Sequence, residues 1–230
     1  MLTLYFSGTG NSRYVAMRFS SLMQADCHSI EETVDFDACL SKSETVCFCY
    51  PTYGSCVPRI MRDFVTTHKM ALTGKKLVLF CTQLLFSGDG ARVFMDLLEG
   101  VRCEVIYAEH IRMPNNICNV FLFPVKTADR CGDVFAAADR LLARAADNIR
   151  AGIVVKRGFN PLSRAMGFLA QRAYFPAVEA RAGKNVRVSA DCTVCGLCVR
   201  VCPMKNLRLE TTPAHAGQSA PEQENKVYVA

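Results

Sequence analysis

Short apolar runs alternate with longer mixed stretches from Leu2 to Ala151. The runs are too short for amphipathic helices and read as buried strands, whereas the mixed stretches carry apolar residues at helical spacing. Leu2 to Phe6 is the first strand. Asn11 to Met23 is a helix, with Val15, Ala16, Phe19, Leu22 and Met23 on one face. His28 to Ile30 reads as a short strand and Phe36 to Lys42 as a weak helix or turn. Thr45 to Tyr50 is a strand, and a helix follows from Pro58 to His68, with Pro58 suited to its first turn. Lys76 to Cys81 is a strand, Ala91 to Leu98 a helix, Cys103 to Glu109 the last strand, and Ala128 to Ala151 a long helix rich in Ala, Leu and Arg. Strand and helix in alternation predict an α/β fold with a doubly wound parallel sheet. In such sheets ligands bind at the carboxyl ends of the strands.

The loop after the first strand is Ser7-Gly8-Thr9-Gly10-Asn11-Ser12. Its two glycines allow a tight turn with uncovered N–H groups. Its hydroxyls and amide can donate hydrogen bonds, and the helix that follows favours an anion at its N-terminus. This composition suits one phosphate group; an ordinary strand-to-helix turn is the plain alternative. No Lys follows the loop, so G-x-x-x-x-G-K-[ST] is absent. Arg13 stands where a dinucleotide loop has its third Gly. A mononucleotide phosphate fits better.

In this loop the chain resembles the flavodoxin family, whose phosphate loop reads like SGTGNS after the first strand. The resemblance implies that the ligand is FMN. It extends over about residues 1–150, through two further loops that match in position and type. Pro51-Thr52-Tyr53-Gly54 places an aromatic ring beside a Gly, and Tyr53 can stack on a flat ring or lie on the surface as a turn tyrosine. Thr82 to Gly90 contains Ser87-Gly88-Asp89-Gly90, which can line the flavin edge; Asp89 can equally cap the next helix. The expected FMN contacts are Ser7, Gly8, Thr9, Gly10, Asn11, Ser12, Pro51, Thr52, Tyr53, Gly54, Thr82, Gly88, Asp89 and Gly90. Met113-Pro114-Asn115-Asn116 is either a fourth contact loop or a plain turn.

The 230 residues suffice for one domain of common size and a small second one, and 50% of them are hydrophobic. No apolar run is long enough for a membrane span, and Met1-Leu2-Thr3 does not open a signal peptide. The expected location is therefore cytoplasmic. There are 13 cysteines, and in that compartment they are not mainly disulfides. Cys27, Cys39, Cys47, Cys49, Cys56, Cys81, Cys103, Cys118 and Cys131 are scattered and read as small buried hydrophobes. The four histidines are isolated, and no catalytic acid, base or nucleophile stands out.

From Gly152 to Val188 the composition turns basic. Lys156, Arg157, Arg164, Arg172, Arg181, Lys184 and Arg187 face one acid, Glu179, with apolar and aromatic residues between them. Pro161 and Pro176 bound a predicted helix, Ser163 to Tyr174. A linker helix between two domains is the plain reading. A dock for an acidic redox partner, or a peripheral contact with an anionic membrane, is the functional one. Nucleic acid is the weakest candidate, because no recognised motif accompanies the charge.

Cys192, Cys195, Cys198 and Cys202, the last followed by Pro203, form C-x2-C-x2-C-x3-C-P. This is the bacterial ferredoxin run, and soft thiolates suit a [4Fe–4S] cluster. Zinc sites usually pair two separated C-x2-C halves, and no second half exists here. In two-cluster ferredoxins the fourth Cys serves the other cluster, and no Cys follows Cys202. Asn225 to Ala230 repeats the lead-in Asn185 to Asp191 and then stops. That predicts a C-terminally truncated form of a two-cluster chain; chance similarity, with Thr211 to Asn225 a disordered tail, is the alternative.

Taken whole, the chain resembles the flavodoxin–ferredoxin fusion family of anaerobic microbes. The resemblance implies a flavodoxin-like FMN domain at 1–151, a basic linker helix at 152–185 and an incomplete ferredoxin-like α+β module at 186–230. It departs from that family in lacking the second cysteine run, and from ordinary flavodoxins in its net charge of +6. The expected function is electron transfer between FMN and a [4Fe–4S] cluster, to or from a redox partner with an acidic docking surface. The alternative is a flavin-dependent reductase of a small acceptor such as a quinone, with its pocket near Leu84, Leu85 and Phe86. A cluster-based sensor ranks last.

Overall fold

The structure, a computed structural model, describes residues 1–116, 125, 127–182, 188, 191–202, 207–211 and 225–229. Six strands form one parallel sheet: β1 (Leu2–Tyr5), β2 (Asp26–Ser29), β3 (Thr45–Pro51), β4 (Lys76–Gln83), β5 (Glu104–Arg112) and β6 (Val155–Lys156). Their order is β2-β1-β3-β4-β5-β6. The order reverses between β1 and β3, so the chain winds outwards from that point in both directions. Ligands sit at such a switch point in open α/β sheets.

Helices cover both faces, and strand alternation decides which residues meet them. On one face Leu2, Leu4, Val46, Phe48, Tyr50, Leu77, Leu79 and Cys81 pack with Met61 and Val65 of α3 (Arg59–His68) and Phe94 of α4 (Gly90–Asp96). The short helix α2 (Phe36–Ser41) closes this face through Phe36 and Leu40, its N-terminus capped by Asp35. On the other face Cys47, Cys49, Val78, Phe80 and Tyr107 meet Val15, Ala16 and Phe19 of α1 (Asn11–Met23) and Ala138, Leu142, Ala145 and Ala146 of α5 (Gly132–Arg150). Rings interlock on both sides: Phe19 meets Phe80 edge-on at 4.7 Å, and Tyr50 stacks on Phe94 at 5.5 Å. Ile106 is the extra residue where the β4–β5 register shifts.

The expected alternation therefore forms. β6 was not expected, because two residues carry no period to read. It hydrogen-bonds beside Tyr107 and Ala108 of β5. The predicted helix Ser163–Tyr174 takes a less regular form: α6 (Pro161–Gly167), capped by Asn160, widens into a π turn at Phe168–Arg172. Another helix, α7 (Phe175–Ala182), follows. Of the scattered cysteines, Cys47, Cys49, Cys56, Cys81 and Cys131 are buried, and Cys27, Cys39 and Cys103 partly so. Cys118 lies outside the described residues, as do Lys184, Arg187 and most of Thr211–Asn225.

The chain divides into two compact units, Met1–Phe175 and Pro176–Ala230. Of the basic stretch 152–185, the residues up to Phe175 thus belong to the first. In the second, α8 (Leu197–Val201) follows the cysteine loop, and β7 (Leu207–Thr211) pairs antiparallel with β8 (Asn225–Val229). Among the described residues no helix is long and apolar enough to cross a membrane.

Leu142 is fully buried on the α5 face of the sheet. Leu142→Ala removes its contacts and leaves a cavity, so urea unfolding of the first unit should show a loss of about 2–5 kcal/mol. An unchanged midpoint would mean that α5 does not contribute to the core as described.

Candidate functional site

The carboxyl edge of the sheet gathers four loops around one cavity. Its lining includes Ser7, Gly8, Thr9, Asn11 and Ser12 from the β1–α1 loop, and Pro51, Thr52 and Tyr53 after β3. Thr82, Gln83 and Leu84 come from the end of β4, and Pro114 and Asn116 from the segment after β5. The loops hold one another in place. Ser12 Oγ lies 2.8 Å from Thr82 Oγ1, and Thr52 N–H donates to Thr82 O at 3.0 Å. Asn11 Nδ2 donates to Pro114 O at 2.9 Å, and Asn116 Nδ2 to Thr9 Oγ1. The fourth loop thus lines the same cavity and is tied to the first loop.

The first loop turns as its composition requires. Gly10 precedes α1 with φ at 101°, its N–H taken by Ser7 Oγ at 3.1 Å. No side chain caps α1, so the N–H groups of its first turn stay open to an anion. Thr9 and Gly8 are exposed, whereas Ser12 is buried.

Tyr53 opens a tight turn. Its N–H and C=O both pair with Cys56, at 3.2 and 2.9 Å, around Gly54 and Ser55. Both central residues have positive φ, 57° and 58°, which glycine tolerates and serine adopts under strain. Tyr53 is 43% exposed while lining the cavity, and burial of part of its ring pushes the phenol pKa up.

The third loop is more deeply built in. Ser87 and Asp89 are buried, and Ser87 Oγ–H donates to Gln83 Oε1. His110 of β5 lies 2.7 Å from the same oxygen through Nδ1. With the hydroxyl hydrogen committed to Gln83, Nδ1 carries the imidazole proton, and Nε2 is buried without a partner. Asp89 makes no side-chain cap on α4. Its carboxylate pairs with Arg92 at 2.8 Å and, through both oxygens, with Arg172. Gly10, Gly54, Gly88, Asp89 and Gly90 are not among the residues lining the cavity; the other nine expected contacts are. Gln83 lines the cavity without having been among the expected contacts; its position directly after Thr82, at the end of an apolar strand, was the available signal. Of the three apolar residues expected to form an acceptor pocket, Leu84 lines the cavity, while Leu85 and Phe86 are exposed.

In the second unit Cys192, Cys195 and Cys198 are exposed and Cys202 is partly buried; all four are free thiols. Val194 and Gly196 both have positive φ, folding the backbone tightly around Cys195. The Leu197 N–H first, then the Thr193 hydroxyl and Arg200, draw the Cys195 thiol pKa down. Among the described residues, no group of three or more His, Cys, Asp or Glu side chains converges as a metal site. Of the histidines, His28 pairs with Glu32 and His68 with Asp37, both imidazoles half-buried, and His215 lies outside the described residues.

Residues 2–121 match the family described as Flavodoxin domain; the match stops before the cysteine run. No curated protein matches the sequence. Among solved structures the chain is similar to the two-electron reduced flavodoxin of Megasphaera elsdenii, at 24% identity and a TM-score of 0.43 over 61% of this chain and 99% of that one. It is also similar to a WrbA-like flavodoxin from Agrobacterium tumefaciens, at 18% identity and 0.43 over 66% and 97%. A third is the Trp repressor binding protein of Bacillus subtilis, at 13% and 0.45 over 63% and 99%.

Burial, and then the charge of Arg157, lower the His110 pKa from 6.5 to about 4, against a smaller opposing pull from Asp89. The folded state therefore binds fewer protons than the unfolded chain between those values. Stability from neutral His110 is full above pH 6.5 and is lost as pH falls towards 4. Between pH 7 and 4.5 the wild type should lose about 2–3 kcal/mol more than His110→Asn in urea unfolding. Equal losses would show that His110 does not titrate in this window.

Proposed function

The chain belongs to the flavodoxin domain family, which implies FMN-binding electron transfer or flavoprotein activity, and from that premise we propose that it passes electrons between FMN in the first unit and a [4Fe–4S] cluster in the second. The observation that carries the flavin half is the convergence of four loops on one cavity beside the uncapped start of α1. The residues present fit the group. Thr9, Asn11, Ser12 and the first-turn N–H groups of α1 would hold the phosphate; Tyr53, Pro51 and Leu84 would present apolar surface to the ring system, and Thr82 and Gln83 polar groups. When bound, FMN supplies one- or two-electron exchange and the cluster one-electron exchange. The chain's task is to orient the flavin, exclude water from its buried face and set its hydrogen bonds.

For the cluster, the support lies in the donor set. Cys192, Cys195, Cys198 and Cys202 have ferredoxin spacing, their thiols are unbridged, and a backbone N–H favours the thiolate of Cys195. Arg200 Nη1 donates to Cys195 O at 2.9 Å, which holds the loop against α8. The net charge of +6 favours a redox partner with an acidic docking surface, in a reducing, cytoplasmic setting.

The decisive measurement is the visible spectrum of protein purified and reconstituted without oxygen. Flavin bands with a broad shoulder that reductant bleaches are expected. Cys195→Ser should lose the shoulder and keep the flavin, whereas loss of both would break the two-centre reading. Asn11→Ala removes both the tie to Pro114 and a proposed phosphate donor, and should weaken FMN binding by at least about fivefold, the worth of one hydrogen bond. Unchanged flavin affinity in that variant would remove Asn11, and the fourth loop it holds, from the flavin site.

A further inference from the structure

The stretch after β6 returns to the flavin-side loops and grips two of them. Arg172 pairs with both oxygens of Asp89, which is wholly buried in the third loop. Gly167 packs so closely on Asp89 that a side chain there would collide with the carboxylate. A Cβ at Gly88 would in turn stand 2.5 Å from Gly167 Cα, so two backbones are in contact with no side chain between them. In the second loop Ser55 Oγ–H donates to Gln171 Oε1 at 2.6 Å, and the Phe175 ring covers Gly54. Phe168 lies under the Arg172 guanidinium, 5.8 Å from ring centre to carbon.

These contacts are not those of a passive tether. A linker has no need of a buried carboxylate, and such a charge is tolerated only where its partners are fixed. Arg92, its other partner, is shared with Asp96. The gripped residues also adjoin the cavity in sequence: Tyr53 precedes Gly54, and Leu84 lies four positions before Gly88. The two loops meet directly as well, since a Cβ at Gly90 would stand 2.8 Å from Thr52 Cγ2. Between Gly152 and Val178 there is no acidic side chain, so Arg172 finds its buried partner outside its own segment.

We propose that residues 161–172 are a latch on the flavin-binding loops, with Arg172 and Gln171 as positioning residues for FMN. The proposal rests on the FMN reading above. The flavin-binding element of this chain then extends past α5 to the latch, and an excised domain ending at Ala151 is a weak flavin binder.

The test uses the full chain stripped of flavin and titrated with FMN by fluorescence quenching. Arg172→Met should bind FMN about tenfold more weakly, the scale of one lost charge-assisted tie. Arg172→Lys should fall between it and the wild type. Gln171→Leu leaves no charge unpaired and should cost about threefold, the lower end for a neutral hydrogen bond. Far-UV circular dichroism should stay as in the wild type for all three. Trypsin should cut flavin-free Arg172→Met faster at Arg157 and Arg164, because the released segment opens to solvent. If Arg172→Met does not fold, Gln171→Leu decides alone. FMN affinities within twofold of the wild type in the folded variants would overturn the latch. Should the wild-type chain bind no FMN, the flavin reading falls and trypsin judges the latch: faster cleavage upholds it, unchanged cleavage overturns it.

Discussion

A parallel sheet must bury both faces. Its crossovers place helices on each side, and every strand of this sheet from β1 to β5 ends at the same edge. The ladder stops there, so the backbone groups of the loops need other partners. Four loops are tied to one another there, with backbone groups taken up between Thr52 and Thr82 and between Asn11 and Pro114, and side chains joined between Ser12 and Thr82 and between Asn116 and Thr9. The site follows from that condition. The loops close on each other around the position where the order reverses, and small polar residues leave space where larger ones would fill it. The cavity is thus the place at which the sheet's own rules of burial run out.

The third loop shows the same constraint under a heavier electrostatic load. Asp89 carries a charge with no exposed surface, and Ser87 and His110 add polar atoms at equal depth. Burial of this kind is favourable only when partners are fixed in place. Arg92 comes from the helix the loop itself begins, but Arg172 comes from a segment 83 residues further on. The order of the loop is therefore tied to chain that lies beyond the last helix of the doubly wound core. His110 meets the depth differently: as a neutral imidazole it avoids adding a second cation beside Arg157.

What the sequence made legible divides by range. The strands and α1, α3 and α5 were readable because their periods recur over whole elements, and the tight turn before α1 because its glycines and small polar residues sit in six consecutive positions. The fourth loop stayed ambiguous, since Asn116 and Thr9 are 107 residues apart and no local pattern joins them. Asp89 was read as a cap or a flavin contact for the same reason: its decisive partner, Arg172, lay in a stretch whose composition suggests a linker. Tyr53 could be named as a candidate lining residue, but not the Gly54-Ser55 turn that it opens, because Ser is an uncommon residue at positive φ. β6 is two residues long and acquires its meaning only beside β5.

The cysteines sort by the same principle of burial. Cys47 and Cys49 lie in the centre of the sheet, where desolvation drives their pKa values well up, and Cys81 is pushed up to about 12 despite help from the Tyr50 and Thr52 hydroxyls. Thiols held neutral in that way pack as small apolar groups and do not compete for soft metals. Cys195 stands in water, and an N–H donor draws its pKa the other way. A single chain thus holds thiols of two characters, and no difference in residue type separates them. Burial raises the one set, whereas exposure and a backbone N–H draw Cys195 the other way.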